Sequence, residues 1–326
     1  MVTSETSVQF GLVVPENPLN PPSRQHYMDD VHRLLAVVKG HFDSAWCIDH
    51  LAGDVLEGWT ALTYLAACHP DLVWGHTVLC QSFRNPALVA KMAATLQFLS
   101  GGRFVLGIGA GGQAAEHLAY GYAFPSGDTR VAELDEALQI ITTMWTEERA
   151  SVAGTSYCIQ DASCEPKPDP RPPIMIGAFR PKMLRLTARY ADWWNVSSTG
   201  ITVYRGYVDE LERACDEVRR DPATVRRTWS GGCVCAPKDA EVRDLVARRL
   251  GMDADVAYQV GEDFVGTPAQ IIEQMQPFIE AGIDYFMLDC GGFPRLTTVE
   301  TLIAEVLPVL NATNGTDHRP LSAPKI

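Results

Sequence analysis

Short apolar runs alternate with longer amphipathic stretches along the whole chain. The runs at 8–14, 44–48, 72–79, 104–108, 174–176, 193–196, 228–234 and 285–288 read as strands. Several are continuous Val, Ile and Leu without polar alternation, the pattern of parallel strands covered on both faces. Helix signals fill the intervals. Asn85-Pro86 supplies a cap and a proline at the first helical position; Leu88, Met92, Leu96 and Leu99 then recur at three- and four-residue steps, and Gly101 closes the helix. Thr267-Pro268-Ala269-Gln270 is a capping box, closed by Gly282.

Strands alternating with helices leave a closed (β/α)8 barrel or an open doubly wound sheet. An open sheet that binds a dinucleotide carries its phosphate loop after the first strand. Here Pro15-Glu16-Asn17-Pro18-Leu19-Asn20-Pro21-Pro22 follows it and offers few backbone amides. The barrel is the better reading, with residues 1–310 as one domain and 311–326 as a polar, loose tail. Two stretches, 151–173 and 251–266, read as insertions, expected to form a lid over the mouth.

Gly107-Ile108-Gly109-Ala110-Gly111-Gly112 matches a dinucleotide fingerprint in form. That fingerprint needs a second strand ending in an acidic residue some twenty positions later. Leu134, Leu138, Ile141 and Trp145 instead mark a helix there, so the match fails. What survives is a run of small residues at a strand's C-terminal end, where a flat ring or a phosphate can approach the backbone.

Forty acidic against 27 basic residues give a net charge of −13 over 326 residues, which disfavours nucleic acid as a partner. No apolar run is long enough to span a membrane, and residues 1–8 lack a signal core. The nine cysteines are odd in number and scattered, so neither a disulfide framework nor a metal site is expected, Cys233-Val234-Cys235 included. A cytoplasmic protein is the resulting expectation.

Four segments together resemble the luciferase-like superfamily of flavin and deazaflavin enzymes. They are Phe42 to Leu51, ending in Asp49-His50; Ser82-Phe83-Arg84-Asn85-Pro86 through Ser100-Gly101-Gly102-Arg103 to Gly109-Ala110-Gly111; Pro172 to Gly177 leading to Asp192-Trp193-Trp194-Asn195; and Val265-Gly266-Thr267-Pro268 with Ala281 to Phe286. Order and spacing hold from about residue 8 to 310. The resemblance implies a TIM barrel of the bacterial-luciferase type whose mouth binds FMN or coenzyme F420. Asp49-His50, Glu57-Gly58-Trp59 and the glycine run are most similar to the F420 branch.

A deazaflavin passes two electrons as hydride, so the protein must hold a flat ring and move a proton. The resemblance implies His50 as proton partner, with Asp49 beside it to orient the ring; a histidine satisfied on the barrel rim is the competing reading. It also implies a cis peptide at Thr77-Val78 behind the cofactor, where an ordinary core strand is the alternative. Gly109, Ala110, Gly111, Gly177, Ala178, Phe179 and Arg180 fall at cofactor-binding positions, the phosphate meeting the helix that starts near Pro181. Arg180, Lys182 and Arg185 suit an anionic tail or form a solvated face. Ala178 replaces a common glycine and is expected to tighten the backbone approach. Gly112, Trp194 and Glu57 are assigned to the substrate pocket, although core packing is the commoner fate of Trp194. Relatives often carry an aromatic or a carboxylate at the position of Gly112. Its absence implies a roomier pocket and disfavours a sugar phosphate.

The leading expectation is hydride transfer between F420 and a small organic molecule. The alternatives are an FMN-dependent monooxygenase, which needs a flavin reductase as partner, and a ligand-binding barrel without catalysis. A homodimer is expected from the resemblance.

Overall fold

The structure, a computed structural model, describes residues 7–17, 24–314 and 321. Residues 1–6, 18–23 (with 18–22 of the proline-rich stretch), and 315–320 and 322–326 of the tail lie outside these. Twelve strands are described: β1 (Gln9–Val13), β2 (Ser44–Cys47), β3 (Val73–His76), β4 (Leu79–Cys80), β5 (Phe104–Gly109), β6 (Ala150–Ala153), β7 (Cys158–Ala162), β8 (Ile174–Gly177), β9 (Trp193–Ser197), β10 (Arg226–Cys235), β11 (Phe264–Gly266) and β12 (Ile283–Cys290). The helices are α1 (Arg24–Val38), α2 (Gly58–Cys68), α3 (Pro86–Ser100), α4 (Ala114–Ala119), α5 (Gly127–Thr146), α6 (Pro181–Tyr190), α7 (Ile201–Glu217), α8 (Asp239–Leu250), α9 (Ala254–Val260), α10 (Pro268–Glu280), α11 (Thr297–Thr301) and α12 (Leu307–Asn314).

Strand pairing runs β1-β2-β3-β5-β8-β9-β10-β12 and returns to β1, all parallel, so the sheet closes. Continuous hydrogen bonding around the ring removes every edge, and all eight expected strands take part. β3 and β4 are halves of one barrel strand, parted at Thr77-Val78, whose peptide is cis.

Alternation along the strands splits the core in two. Val13, Trp46, Val105, Met175, Trp193, Tyr285 and Met287 fill the barrel interior. The outward residues pack beneath the helices. The helix signals act as expected: Asn85 caps α3 through the Ala87 amide at 2.9 Å, Gly101 ends it at φ 66°, and Thr267 with Gln270 closes the box on α10. The buried face of α3 departs from the expected stripe. Val89, Ala90, Ala93, Ala94 and Leu96 point inward, while Leu88 and Leu99 are exposed. Small residues let this helix lie close to the barrel and to α5, and the larger leucines are turned out.

The segment 151–173 is not a lid. It follows helix α5, folds as the antiparallel β6–β7 hairpin, and lies on the outer flank of the barrel. Glu136 of α5 accepts the amides of Thr155, Ser156 and Tyr157 at 2.8–2.9 Å, and Lys91 of α3 donates to the Glu165 carbonyl. The second insertion starts earlier than 251: everything between β10 and α10 is inserted, with α8 on the rim and β11 paired alongside β10. Residues 311–314 continue α12 and do not begin a loose tail. Among the described residues no helix is long and apolar enough to cross a membrane.

Candidate active site at the barrel mouth

The C-terminal ends of β2, β4, β5, β8 and β9, with Ser230 from the middle of β10, surround a cavity of about 410 Å³. That size lies within the range of small-molecule sites. Of the residues assigned from the sequence, His50, Asp49, Thr77, Val78, Gly109, Ala110, Gly111, Gly112, Gly177, Phe179 and Arg180 line it. Val78 forms its floor. A Cβ on Gly109 would come within 2.9 Å of Val78 Cγ2, and one on Gly177 within 3.3 Å. Both glycines therefore make room for the valine. A Cβ on Gly112 would meet nothing within 4 Å.

Three assigned residues stand elsewhere. Ala178 is buried and faces away, with its amide bonded to the Asn195 carbonyl at 3.1 Å, so its methyl does not narrow the cavity. Trp194 points outward, stacks on Tyr204 at 5.6 Å and donates to the Ala178 carbonyl at 3.0 Å. It is a core residue. Glu57 caps α2 by accepting from the Trp59 and Thr60 amides at 3.1 and 2.8 Å, and it pairs with Arg84. Burial works to raise its carboxyl, but Thr60, Trp59 and Arg84 outweigh that and hold it at about 2.

Asp49 and His50 diverge, as neighbours on an extended chain do. Asp49 takes both guanidinium nitrogens of Arg84 at 2.8 Å and the Cys80 amide at 2.8 Å, so it does not orient His50. His50 is partly exposed to the cavity, and its Nδ1 lies 3.6 Å from Glu116 Oε1. Sequence reasoning missed Glu116, which also accepts the Leu51 and Ala52 amides. Burial would raise its carboxyl; those amides and His50 together hold it below the usual range.

His117, the next residue, was missed too. It is buried, its Nδ1 lies 2.8 Å from the Gln113 carbonyl and its Nε2 2.7 Å from Ser82 Oγ. A carbonyl only accepts, so Nδ1 carries the proton and the Ser82 hydroxyl donates to Nε2. Phe83 and Phe124 pack on the ring, and Cys80 lies beyond Ser82 at 3.2 Å. Glu16, also unassigned, accepts the Ile48 amide, and burial pushes its carboxyl up to about 8. It lines a second rim cavity of about 770 Å³ between α1, α8 and the end of β12.

The mouth suits a flat ring with an anionic tail. Its floor is one apolar side chain flanked by glycines, and Thr77 Oγ1 is buried there without a protein partner. Helix α6 opens onto the cavity with no side-chain cap at its N-terminus, and Arg180 stands beside it. Free amides and the positive end of the helix dipole favour an anion at that point. Among the described residues no cluster of metal-ligand side chains accompanies them.

Residues 9–263 match the luciferase-like monooxygenase family. The F420-dependent glucose-6-phosphate dehydrogenase of Kineococcus radiotolerans is 27% identical over 302 residues, covering 82% of this chain and 88% of its own. An F420-dependent secondary alcohol dehydrogenase, solved with an F420–acetone adduct, superposes with a TM-score of 0.80 at 19% identity over 94% of this chain and 100% of its own. The monooxygenase RslO1 of Streptomyces bottropensis gives 0.79 at 19% identity, over 93% of this chain and 100% of its own.

Proposed function

The chain belongs to the luciferase-like monooxygenase family, and on that premise we propose that it is an F420-dependent oxidoreductase acting on a small organic molecule. The observation that carries this reading is the placement of His50 on the wall of a cavity floored by Val78, Gly109 and Gly177. When bound, the deazaflavin supplies two-electron hydride transfer. The chain's own residues do the rest. Val78 with the two glycines backs the ring, Arg180 and the first amides of α6 hold the anionic tail, and His50 gives or takes the proton at its free ring nitrogen. Gly112 leaves the substrate side open, which fits an uncharged alcohol or carbonyl compound better than a sugar phosphate. The reading includes a cytoplasmic homodimer; nine free cysteines, seven of them buried, suit a reducing compartment.

Titration of the purified protein with F420 and with FMN, followed by fluorescence, tests the proposal. Tighter binding of F420 is the expected result. Tighter binding of FMN would point to a monooxygenase fed by a flavin reductase. Binding of either cofactor without turnover across a substrate screen would leave a barrel that only binds.

A further inference from the structure

We propose that Glu116 is the positioning residue of His50, fixing the imidazole with its Nδ1–H toward the carboxylate and Nε2 toward the mouth. The inference deepens the functional reading, resting on His50 as the proton partner there. His50 Nδ1 lies 3.6 Å from Glu116 Oε1, while the histidine side chain is 39% exposed and the carboxylate 7%. The carboxylate cannot swing, because the same oxygen accepts the amides of Leu51 and Ala52, the two residues after His50. One group thus anchors both the backbone of the His50 loop and one edge of its ring. At 3.6 Å the pair is longer than a hydrogen bond, but a fixed negative charge facing Nδ1 still favours the tautomer that carries its proton there.

The other carboxylates nearby are engaged elsewhere. Asp49 is taken by Arg84 and the Cys80 amide, Glu57 by Arg84 and the α2 amides, and Glu16 by the Ile48 amide. Gly112, four positions before Glu116 and ahead of α4, has no side chain to compete. With Nδ1–H facing Glu116, a proton gained at Nε2 leaves an imidazolium whose charge the carboxylate balances, and a proton lost from Nε2 restores the starting tautomer.

Long-range ¹⁵N–¹H correlation spectra of the cofactor-free protein test this, with the His50 ring assigned by its loss in His50→Ala. The wild-type neutral ring is expected to carry its proton on Nδ1, against the usual preference of free histidine for Nε2, and Glu116→Gln is expected to shift the population toward Nε2–H. In the F420 assay, Glu116→Gln is expected to lower kcat about tenfold, part of the 10²–10⁴-fold that acid–base catalysis supplies. The same change made in His50→Ala is expected to have no further effect. An Nε2–H tautomer in the wild type, or equal losses in both backgrounds, overturns the proposal. A wild-type protein that binds no F420 overturns the functional reading, and the tautomer still decides the placement of Glu116.

Discussion

Asp49 grips Arg84 with both carboxylate oxygens at 2.8 Å, and Arg84 reaches on to Glu57 at the start of α2. The guanidinium ties the two ends of the loop that carries His50. Asp49→Asn leaves a nearly buried cation with only half its partners. Breaking such pairs costs roughly 3 kcal/mol. Chemical denaturation followed by circular dichroism is expected to show a loss of that order, together with reduced turnover; unchanged stability would mean that the pair is not needed to hold the loop.

The glycines of the mouth are not equivalent. Gly109→Ala drives a methyl to 2.9 Å from Val78 Cγ2, and a β-branched side chain has little freedom to turn away. Weaker cofactor binding is expected in the fluorescence titration. Gly112→Ala has open space and is expected to be silent. Gly112→Trp is expected to fill the cavity and narrow the range of accepted substrates.

His76 is fully buried, stacked on Trp59 at 5.0 Å, and neither ring nitrogen has a partner. Burial lowers its pKa from 6.5 to about 4. The unfolded chain therefore takes up this proton first, so its contribution to stability is full above pH 6.5 and is lost as pH falls toward 4. The loss amounts to roughly 3 kcal/mol. Unfolding free energies measured across that interval are expected to fall less steeply in His76→Phe; parallel curves would contradict the assignment.

Glu16 works in the opposite direction. Its carboxyl, raised from 4.5 to about 8, stays protonated in the folded protein where the unfolded chain has already ionised. Its share of stability is full below pH 4.5 and is lost as pH rises through 8. Glu16→Gln keeps the shape without the charge. The variant is expected to gain on the wild type in thermal melts as pH is raised from 5 to 9, and a constant gap between them would count against the shift.

The barrel was legible in the sequence because its strands are continuous apolar runs, and a doubly covered strand leaves that mark. The face of α3 was not. Leu88 and Leu99 carry the bulk that a periodicity reading follows, but the close approach to the barrel selects Ala90, Ala93 and Ala94. His50 and the glycine wall could be placed because each sits at a strand end. Glu116, His117, Ser82 and Glu16 come from loops and a short helix whose proximity is created by ring closure, which no local pattern encodes. One signal was present: Glu116-His117, two titratable residues in the short helix directly after the glycine run. Trp194 was misplaced because strand alternation gives Trp193 the interior and sends its neighbour out to Tyr204.

The proposed role of His50, moving a proton at a mouth that holds F420, has a direct test. Comparing His50→Ala with the wild type for F420 affinity and for turnover in the same preparation tests it most directly. Equal affinity and a kcat lower by at least about a hundredfold are expected. A variant that turns over as fast as the wild type would contradict it.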